Sequence, residues 1–336
     1  MATADEEPST LASVRKRWGP RMQRFRRGWA RFSAHLMGPA GLVILVVFSL
    51  WALFPSVFAP HTPEWTAYLG TEQGRLLLGE TQSLPHPPTW GAEGPHRHAG
   101  MNDNTRDVTH SFFAPLGTND QGQDIATNVV YSAGTGLYIG FAAGILSSLV
   151  GVPLGLISGF YGDTWIDETI QRVVDIMYGL PFLPLVIVLV AIRGVSTTNI
   201  ILAIVVKSWV NNCIIIRGET LSLKELSYVD SAKVAGASDT RIIFRHILPQ
   251  ITPLGFIYLA QDAAAAILTQ AALAYLGLAD FTNLSWGIMI QRIQGRGYVF
   301  DAWWWLIPPG VCIALIAAAF YFVSYSMEDV TNPHTD

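Results

Sequence analysis

The chain has 336 residues, of which 51% are hydrophobic and only 14% are charged. Because a soluble domain carries about 25% charged residues, this composition excludes an ordinary water-soluble protein and indicates that most of the chain lies in lipid. The net charge of −4 gives no indication of a nucleic-acid partner. The two cysteines both lie in apolar runs, so they predict neither a disulfide framework nor a metal site.

Residues 1–37 are predicted to form a basic tail that contains an amphipathic helix. From Pro20 to Phe32, apolar side chains recur at steps of three and four residues, with arginines between them. This spacing is typical of a helix that lies in the plane of the lipid headgroups. The alternative is a disordered basic tail that only contributes positive charge near the membrane.

Six apolar segments follow, each of a length that can cross the hydrocarbon core, which takes about 20 helical residues. The first, residues 38–59, is predicted to be an uncleaved anchor because its 22 residues exceed the apolar core of a signal peptide. The other five belong to a predicted core at 132–326, which precedes a tail at 327–336. The predicted fold is an all-α integral membrane protein, with spans at 38–59, 133–160, 174–193, 199–216, 253–278 and 303–326.

The distribution of Lys and Arg predicts how these spans are oriented. If the N-terminus is cytoplasmic, the inner segments hold fourteen of these residues and the outer segments hold six. Cytoplasmic segments carry an excess of Lys and Arg, so both termini and the loop 217–251 are predicted to be cytoplasmic. The expected location is the inner (plasma) membrane of the cell, with residues 60–131 outside.

The predicted outer loop 60–131 is rich in Pro, Gly and His. Its histidines His86, His96 and His98 raise the alternative of a metal site. They have neither neighbouring cysteines nor a regular ligand spacing, so we favour solvated histidines and expect no metal in this chain.

The loop 217–251 is polar although apolar spans flank it on both sides. Leu221–Ala235 is predicted to be a helix that ends at Gly236, because glycine readily takes the left-handed conformation at which helices stop. Ser238 or Asp239 is predicted to cap a second helix, and Pro249 to mark the return to the membrane. Two short helices joined by a sharp bend could dock in the groove of a partner, or could simply be a helical loop.

The same stretch resembles the signature loop of ABC importer permeases, which reads E-A-A, three residues, Gly, nine residues and then I-x-L-P. Here the motif is Asp230-Ser231-Ala232, Gly236 and Leu248-Pro249, with His246 in place of the usual Ile. Asp230 replaces the Glu of the motif, which shortens the reach of the carboxylate, and Ser231 replaces its first Ala.

Further segments resemble the dipeptide/oligopeptide branch of these permeases, and the resemblance covers roughly residues 110–330. Asn119 and Gln123 depart from the LGTDxxGRD motif of that branch. The matching segments are LGTNDQGQD (116–124), GVPLGLISGFYG (151–162), RVVDIMYGLPFLPL (172–185), ALAYLGL (272–278) and SWG (285–287).

This resemblance implies a type I ABC importer permease fold and a set of partners. The expected partners are a second homologous permease subunit, two ATP-binding subunits and an extracytoplasmic solute-binding protein that docks on the outer side. ATP and Mg²⁺ would bind the partner subunits and not this chain, which has no Gly-Lys pair and so no phosphate-binding loop of the Walker type. The residues implied to contact an ATP-binding subunit are Tyr228, Asp230, Ser231, Ala232, Ala235, Gly236, Ala237, Ser238 and Asp239.

The expected activity is the import of di- or oligopeptides as a transport subunit that is not itself an enzyme. Oligosaccharides and nickel complexes are alternative cargoes that relatives in this branch carry. The role of residues 61–110 is open, and one hypothesis is that they shape the docking face for the binding protein or cover the entrance.

Three polar residues inside the predicted spans are candidates for the translocation path, namely Lys207, Asp262 and Gln270. A structural pair is the alternative, formed either between Lys207 and Asp262 or between each of them and the partner permease. Two rival functions follow from the same residues and the same loop. The chain could be an autonomous secondary transporter with Lys207 and Asp262 as an ion relay, or a membrane scaffold that recruits an unrelated soluble protein.

Overall fold

The computed structural model describes residues 28–33, 35–63 and 114–331. Most of the predicted basic helix, the histidines His86, His96 and His98 and the last five residues therefore lie outside the described residues. Residues 28–32, at the end of the predicted basic helix, are helical. In chain order, the other helices are α1 (Met37–Leu53), α2 (Pro55–Phe58), α3 (Ile125–Phe160), α4 (Trp165–Gly179), α5 (Phe182–Arg193), α6 (Thr197–Lys224), α7 (Ser227–Val234), α8 (Asp239–Ile242), α9 (Leu248–Tyr275), α10 (Trp286–Arg296) and α11 (Trp303–Thr331), and a π-helical turn at Ile243–Ile247 joins α8 to α9.

Four helical segments in this part of the chain are long and apolar enough to cross a membrane. They are α3, α6, α11 and the segment Asp239–Tyr275, which runs through α8, the π turn and α9 over 37 residues. The bent pair of α4 and α5 would make a fifth span, whereas the sequence predicted six. The remaining candidate is α1, which has only 17 residues because the backbone leaves the helical region at Phe54, directly before Pro55.

The predicted span at 174–193 is not one continuous helix. It is split between α4 and α5, which meet at an angle of 90°. The cause is Pro181, because the residue before a proline is sterically disfavoured in the helical region. Leu180 accordingly takes an extended conformation with φ −81° and ψ 131°. The first half of this bent pair begins at Trp165, nine residues earlier than the sequence suggested.

A stripe of glycines lets α3 pack against α6 with almost no space between the two backbones. A Cβ atom added at Gly155 would lie 2.6 Å from the carbonyl oxygen of Cys213, and one added at Gly159 would lie 2.5 Å from Thr220 Cβ. Gly151 makes a similar approach one turn earlier. Small residues at every fourth position are a common way for membrane helices to approach closely, since the contact rests on packing and not on hydrophobicity.

Residues 114–124 form an ordered loop that leads into α3. Asn119 Nδ2 donates a hydrogen bond to Gln123 Oε1 at 2.9 Å. These are the two positions at which the loop departs from the motif it resembles, so a neutral hydrogen bond joins the places where the motif has Asp and Arg. Asp124 caps α3 by accepting backbone hydrogen bonds from its first turn. Asp120 lies 3.1 Å from Arg296 of α10, and burial raises the pKa of Asp120 although the guanidinium acts in the opposite direction.

The glycine stripe can be tested with one substitution at the contact and one elsewhere on the same helix. Gly155→Ala should lower the free energy of unfolding by about 1–3 kcal/mol, because the new methyl group overlaps the Cys213 carbonyl. Gly134→Ala in the same helix is the control, since nothing lies within 4 Å of its Cβ position. Thermal unfolding of the purified proteins in detergent would measure the stability of both variants. Equal stability of the two variants would contradict the close approach of α3 and α6.

Candidate partner-docking site

The segment between α6 and α9 begins later than the sequence predicted. Helix α6 continues to Lys224, so Leu221 belongs to α6 and the predicted helix Leu221–Ala235 is wrong in its first half. Leu226 is extended, with φ −76° and ψ 142°, and the chain turns there before α7 starts at Ser227. This turn brings Val229 into the interior, where it is fully buried.

The bend after α7 is confirmed at Gly236, which has φ +79°. Its N–H donates to the Lys233 carbonyl at 2.9 Å, and the Ala237 N–H donates to the Ala232 carbonyl at 3.0 Å, so the free carbonyls at the end of α7 are satisfied. Apart from its chain neighbours, no described residue has an atom within 4 Å of a Cβ position at Gly236. The requirement for glycine therefore comes from the positive φ and not from crowding.

The predicted side-chain cap of the second helix is wrong. Ser238 occupies the N-cap position, but its side chain makes no capping hydrogen bond. Asp239 is the first residue of α8, and its carboxylate accepts a hydrogen bond from the Tyr161 hydroxyl at 3.4 Å. The second helix is also not a separate short helix, since α8 passes through the π turn directly into α9. The bend thus leads directly into one helical segment that continues to Tyr275.

An apolar cluster holds α7 and α8 against the membrane helices. Val229 of α7 and Ile242 of α8 are fully buried, as are Ile216 of α6 and Ile251 of α9. Leu156 of α3 completes the contact. Burial of each aliphatic side chain contributes about 1.5–3 kcal/mol to the free energy of folding. This cluster therefore fixes α7 to α3, α6 and α9.

The residues predicted to contact a partner divide into two groups by their exposure. Tyr228, Ala232 and Ala237 are partly buried and pack on the apolar cluster just described. The other six are exposed, namely Asp230, Ser231, Ala235, Gly236, Ser238 and Asp239.

Sequence reasoning missed Val234, whose side chain is 90% exposed at the end of α7. It also missed the ion pair between Lys233 and Asp230, whose atoms are 3.4 Å apart on the same exposed side. The signal that could have identified Val234 is an apolar residue that falls outside the buried face set by Val229. An exposed apolar side chain among small and charged residues is suited to a groove in another protein.

A largely buried ion pair, Asp167 with Arg217, joins α4 to the last part of α6. The sequence analysis did not predict it. Arg217 of α6 donates two hydrogen bonds to Asp167 of α4, Nε to Oδ1 at 2.7 Å and a terminal nitrogen to Oδ2 at 2.6 Å. The hydroxyl of Ser158 in α3 donates to the same carboxylate, and Gln171 donates to Ser158. The network therefore joins α3, α4 and α6 at the end of the bundle where α7 begins.

The three candidate path residues make three separate contacts. The Lys207 ammonium donates to the carbonyls of Met177, Tyr178 and Leu180 at the bend between α4 and α5. These carbonyls are at the C-terminal end of α4, where a positive charge is favourable. Lys207 therefore stabilises the bent pair and does not form the alternative ion pair with Asp262.

Asp262 and Gln270 are held by neighbouring amide and hydroxyl groups. Asn212 Nδ2 donates to Asp262 Oδ2 at 2.7 Å, which joins α6 to the middle of α9. Gln270 is buried and donates to the Ser285 hydroxyl at 3.1 Å. That hydroxyl in turn caps α10 by accepting from the Ile288 N–H. Gln270 thus positions α10, while Asp262 remains partly exposed.

The Asp167–Arg217 pair generates a prediction with a neighbouring control. Asp167→Asn should destabilise the chain by about 3 kcal/mol, because it leaves the guanidinium partly buried without a counter-charge. Glu168→Gln removes the adjacent acid, whose pair with Arg172 is largely exposed, and should cost less than about 0.5 kcal/mol. Denaturant titration of both variants in detergent is the measurement. Similar losses in the two variants would contradict the importance of the buried pair.

Comparison with known proteins identifies the family. The family model of the binding-protein-dependent transport system inner membrane component matches residues 151–336. The model of the N-terminal TM domain of oligopeptide transport permease C matches residues 23–78. The two matches do not overlap, and residues 79–150 lie between them.

Individual proteins are similar over most of the chain. The dipeptide transport system permease protein DppC of Haemophilus influenzae is 31% identical over 91% of this chain and 93% of its own length. The oligopeptide transport system permease protein OppC of Bacillus subtilis is 30% identical over 90% and 87%. The glutathione transport system permease protein GsiD of Pectobacterium atrosepticum is 34% identical over 65% and 72%.

Among solved structures, a chain of the MetNI methionine ABC transporter in an inward-facing conformation aligns with a TM-score of 0.48 and 15% identity, over 62% of this chain and 97% of that one. This likeness is too weak to support a conclusion by itself. The family model covers more than half of the chain and single relatives cover nine-tenths of it. The chain therefore belongs to the binding-protein-dependent transport system inner membrane components, and it is a membrane-embedded permease subunit of an ABC importer.

Proposed function

We propose that α7 and the bend at Gly236 are the surface on which an ATP-binding subunit docks. The observation that carries this proposal is the two-sided nature of α7. Val229 fixes one side to the membrane helices, while Asp230 and Val234 are exposed on the other. A helix that is rigidly attached on one side and open on the other can transmit a movement of its partner. ATP and Mg²⁺ are used on two such partner subunits and not on this chain.

The contacts around α7 support a route for this movement. A partner that closes on ATP displaces α7 and the bend, and the continuous segment Asp239–Tyr275 carries the displacement into the membrane. The pair between Asp167 and Arg217 makes α4 and α6 move together with it. ATP drives transport only if the docked partner binds the inward- and outward-facing states with different affinities.

The same proposal includes the full architecture of a type I importer permease with six spans. The family match at 23–78 supports counting α1 as the first span, and the bent pair of α4 and α5 is then the third. The excess of Lys and Arg in the inner segments supports cytoplasmic termini and an inner-membrane location. The basic segment before α1 lies along the cytoplasmic membrane surface.

A second permease subunit completes the translocation path. The outward faces of α3 and α9 expose large apolar side chains that a neighbouring permease or lipid can cover, such as Tyr138, Leu149 and Phe256. Asp262 is the candidate path residue that the contacts favour, since Lys207 holds the bend of α4 and α5 and Gln270 holds α10. An ion relay between Lys207 and Asp262 finds no support in these contacts.

Di- and oligopeptides are the proposed cargo, delivered by a solute-binding protein from the outer side. The names of the relatives support this class, because those similar over nine-tenths of the chain are a dipeptide and an oligopeptide permease protein. Oligosaccharides and nickel complexes are the alternatives that uptake measurements would distinguish. The outer loop that precedes residue 114 is proposed to contribute to the docking face for the binding protein.

Docking on α7 predicts a site-specific cross-link. A Val234→Cys variant of the assembled transporter should cross-link to the ATP-binding subunit through a short thiol-reactive linker. The native Cys213 and Cys312 are both buried and should contribute little background. Val57→Cys, which is also highly exposed on α2, is the control that should not cross-link to that subunit. Identification of the cross-linked protein by mass spectrometry as anything other than an ATP-binding subunit would overturn the proposal.

The bend at Gly236 predicts a loss of coupling with a matched rescue. Gly236→Val should reduce ATP-dependent uptake of a labelled dipeptide in proteoliposomes by at least about tenfold, because a β-branched residue strongly resists positive φ. Gly236→Asn should keep most of the uptake, since Asn tolerates this conformation. Full uptake by the Val variant would show that the bend is not required. Uptake by the permease alone, driven by an ion gradient, would instead favour a secondary transporter.

A further inference from the structure

An open apolar groove lies beside the start of α1. It has a volume of about 780 Å³ and is bordered by residues 28–32, α1, α9 and α11. Its walls include Trp29, Phe32, Leu42, Pro253, Val323 and Met327.

The walls of the groove are held in place by close packing. A Cβ atom at Gly38 would lie 2.8 Å from the Ser326 hydroxyl, and one at Gly41 would lie 2.8 Å from the Ala319 carbonyl, so α1 and α11 are in backbone contact. The Trp29 ring stacks on Phe32 with centroids 5.6 Å apart. The groove is therefore a shaped feature of the packed helices.

The position of the groove corresponds to one surface of the membrane. The start of α1, the start of α9 and the end of α11 all lie there, which places the groove at the level where spans leave the lipid. Trp29 is 47% exposed at this level. Tryptophan favours the boundary between hydrocarbon and headgroups, so the groove opens toward acyl chains on one side and headgroups on the other.

An exposed cation lies beside the groove, since Arg31 is in the same helical turn as Trp29 and Phe32. The sequence has seven further Lys and Arg residues between residues 15 and 27 and no Asp or Glu from Pro8 to Pro63. The acids Glu328 and Asp329 follow Met327 in the sequence, and Glu328 has an interaction of its own. An apolar groove beside an exposed guanidinium is complementary to an acyl chain whose headgroup is negative.

One wall residue connects the groove to the docking surface. Gln250 lines the groove, and its amide Nε2 donates a hydrogen bond to the Tyr228 hydroxyl of α7 at 2.7 Å. A molecule in the groove therefore contacts a residue that holds α7 in position.

We propose that this groove binds an acyl chain of one anionic phospholipid, whose phosphate faces Arg31. The lipid fills the space between α1, α9 and α11 and supports α7 through Gln250. This site is independent of which partner docks on α7 and of which cargo is transported.

The experiment uses the whole chain, purified in mild detergent with the subunits that accompany it and stripped of endogenous lipid. Phosphatidylglycerol and phosphatidylcholine with identical acyl chains are added in turn. Binding is measured by native mass spectrometry and by the shift of the unfolding temperature. We expect phosphatidylglycerol to bind at least about fivefold more tightly, the effect of one cation near an anionic headgroup. Inorganic phosphate should have no effect, because it lacks the chain that occupies the groove.

Two variants and one control locate the site. Leu42→Trp fills the groove and should abolish the tight phosphatidylglycerol site. Arg31→Gln should remove the preference for phosphatidylglycerol over phosphatidylcholine without affecting folding, since this side chain is exposed. Val43→Trp enlarges a neighbouring side chain of α1 that does not line the groove and should change neither property.

Three outcomes would overturn the proposal. The first is equal binding of the two lipids to the unmodified chain, which needs no variant. The second is an unchanged preference for phosphatidylglycerol in Arg31→Gln. The third is a stabilising effect of inorganic phosphate equal to that of phosphatidylglycerol, which would indicate a phosphate site without an acyl chain.

Discussion

The close contact between α3 and α6 is the constraint on which the rest of the structure depends. Glycines on α3 bring the two backbones together, and this distance sets where the residues at the end of α6 lie. A Cβ atom at Gly155 would lie 3.1 Å from the backbone nitrogen of Arg217 and one at Gly159 would lie 2.7 Å from its carbonyl oxygen, so this contact also positions the residue that pairs with Asp167. The apolar cluster beneath α7 is built on the same pair, since Leu156 and Ile216 are its members on these two helices. Packing of small residues thus determines both the buried ion pair and the base of the docking surface.

Under the proposed function, this arrangement would let the permease respond to an ATP-binding subunit that docks on α7. The parts that must move together are joined by contacts that resist separation, namely a bidentate ion pair and a cluster of fully buried aliphatic residues. Helix α7, whose exposed side is the proposed docking surface, is attached to these contacts on one side only. Polar residues within the spans serve the same purpose, because Lys207 holds the bend of α4 and α5 while Asn212 and Asp262 hold α6 to α9.

The sequence predicted the membrane class, the family and the position of the bend, because each of these depends on a local signal. Long apolar runs, the spacing of the signature loop and a glycine at the end of a helix can be recognised without tertiary contacts. The sequence-based predictions are wrong where a local sequence signal is compatible with two different structures. Pro181 could have kinked a continuous span or ended a helix, and the structure has the second outcome. The pair of Asp167 and Arg217 could not be predicted, since 50 residues separate the partners and neither belongs to a motif.

The π turn at Ile243–Ile247 has a consequence for how insertions and deletions would act on this chain. Such a turn accommodates about one residue more than an α-helix of the same length. Deleting one residue from the turn would restore regular winding and leave the segments on both sides in their present orientation. If the same residues wound as a regular α-helix instead, everything before the turn would rotate by about 100° around the helix axis, and Ile242 would leave the interior. The wide turn therefore sets the angular register between α9 and the exposed side of the bend, independently of the side chains on that side.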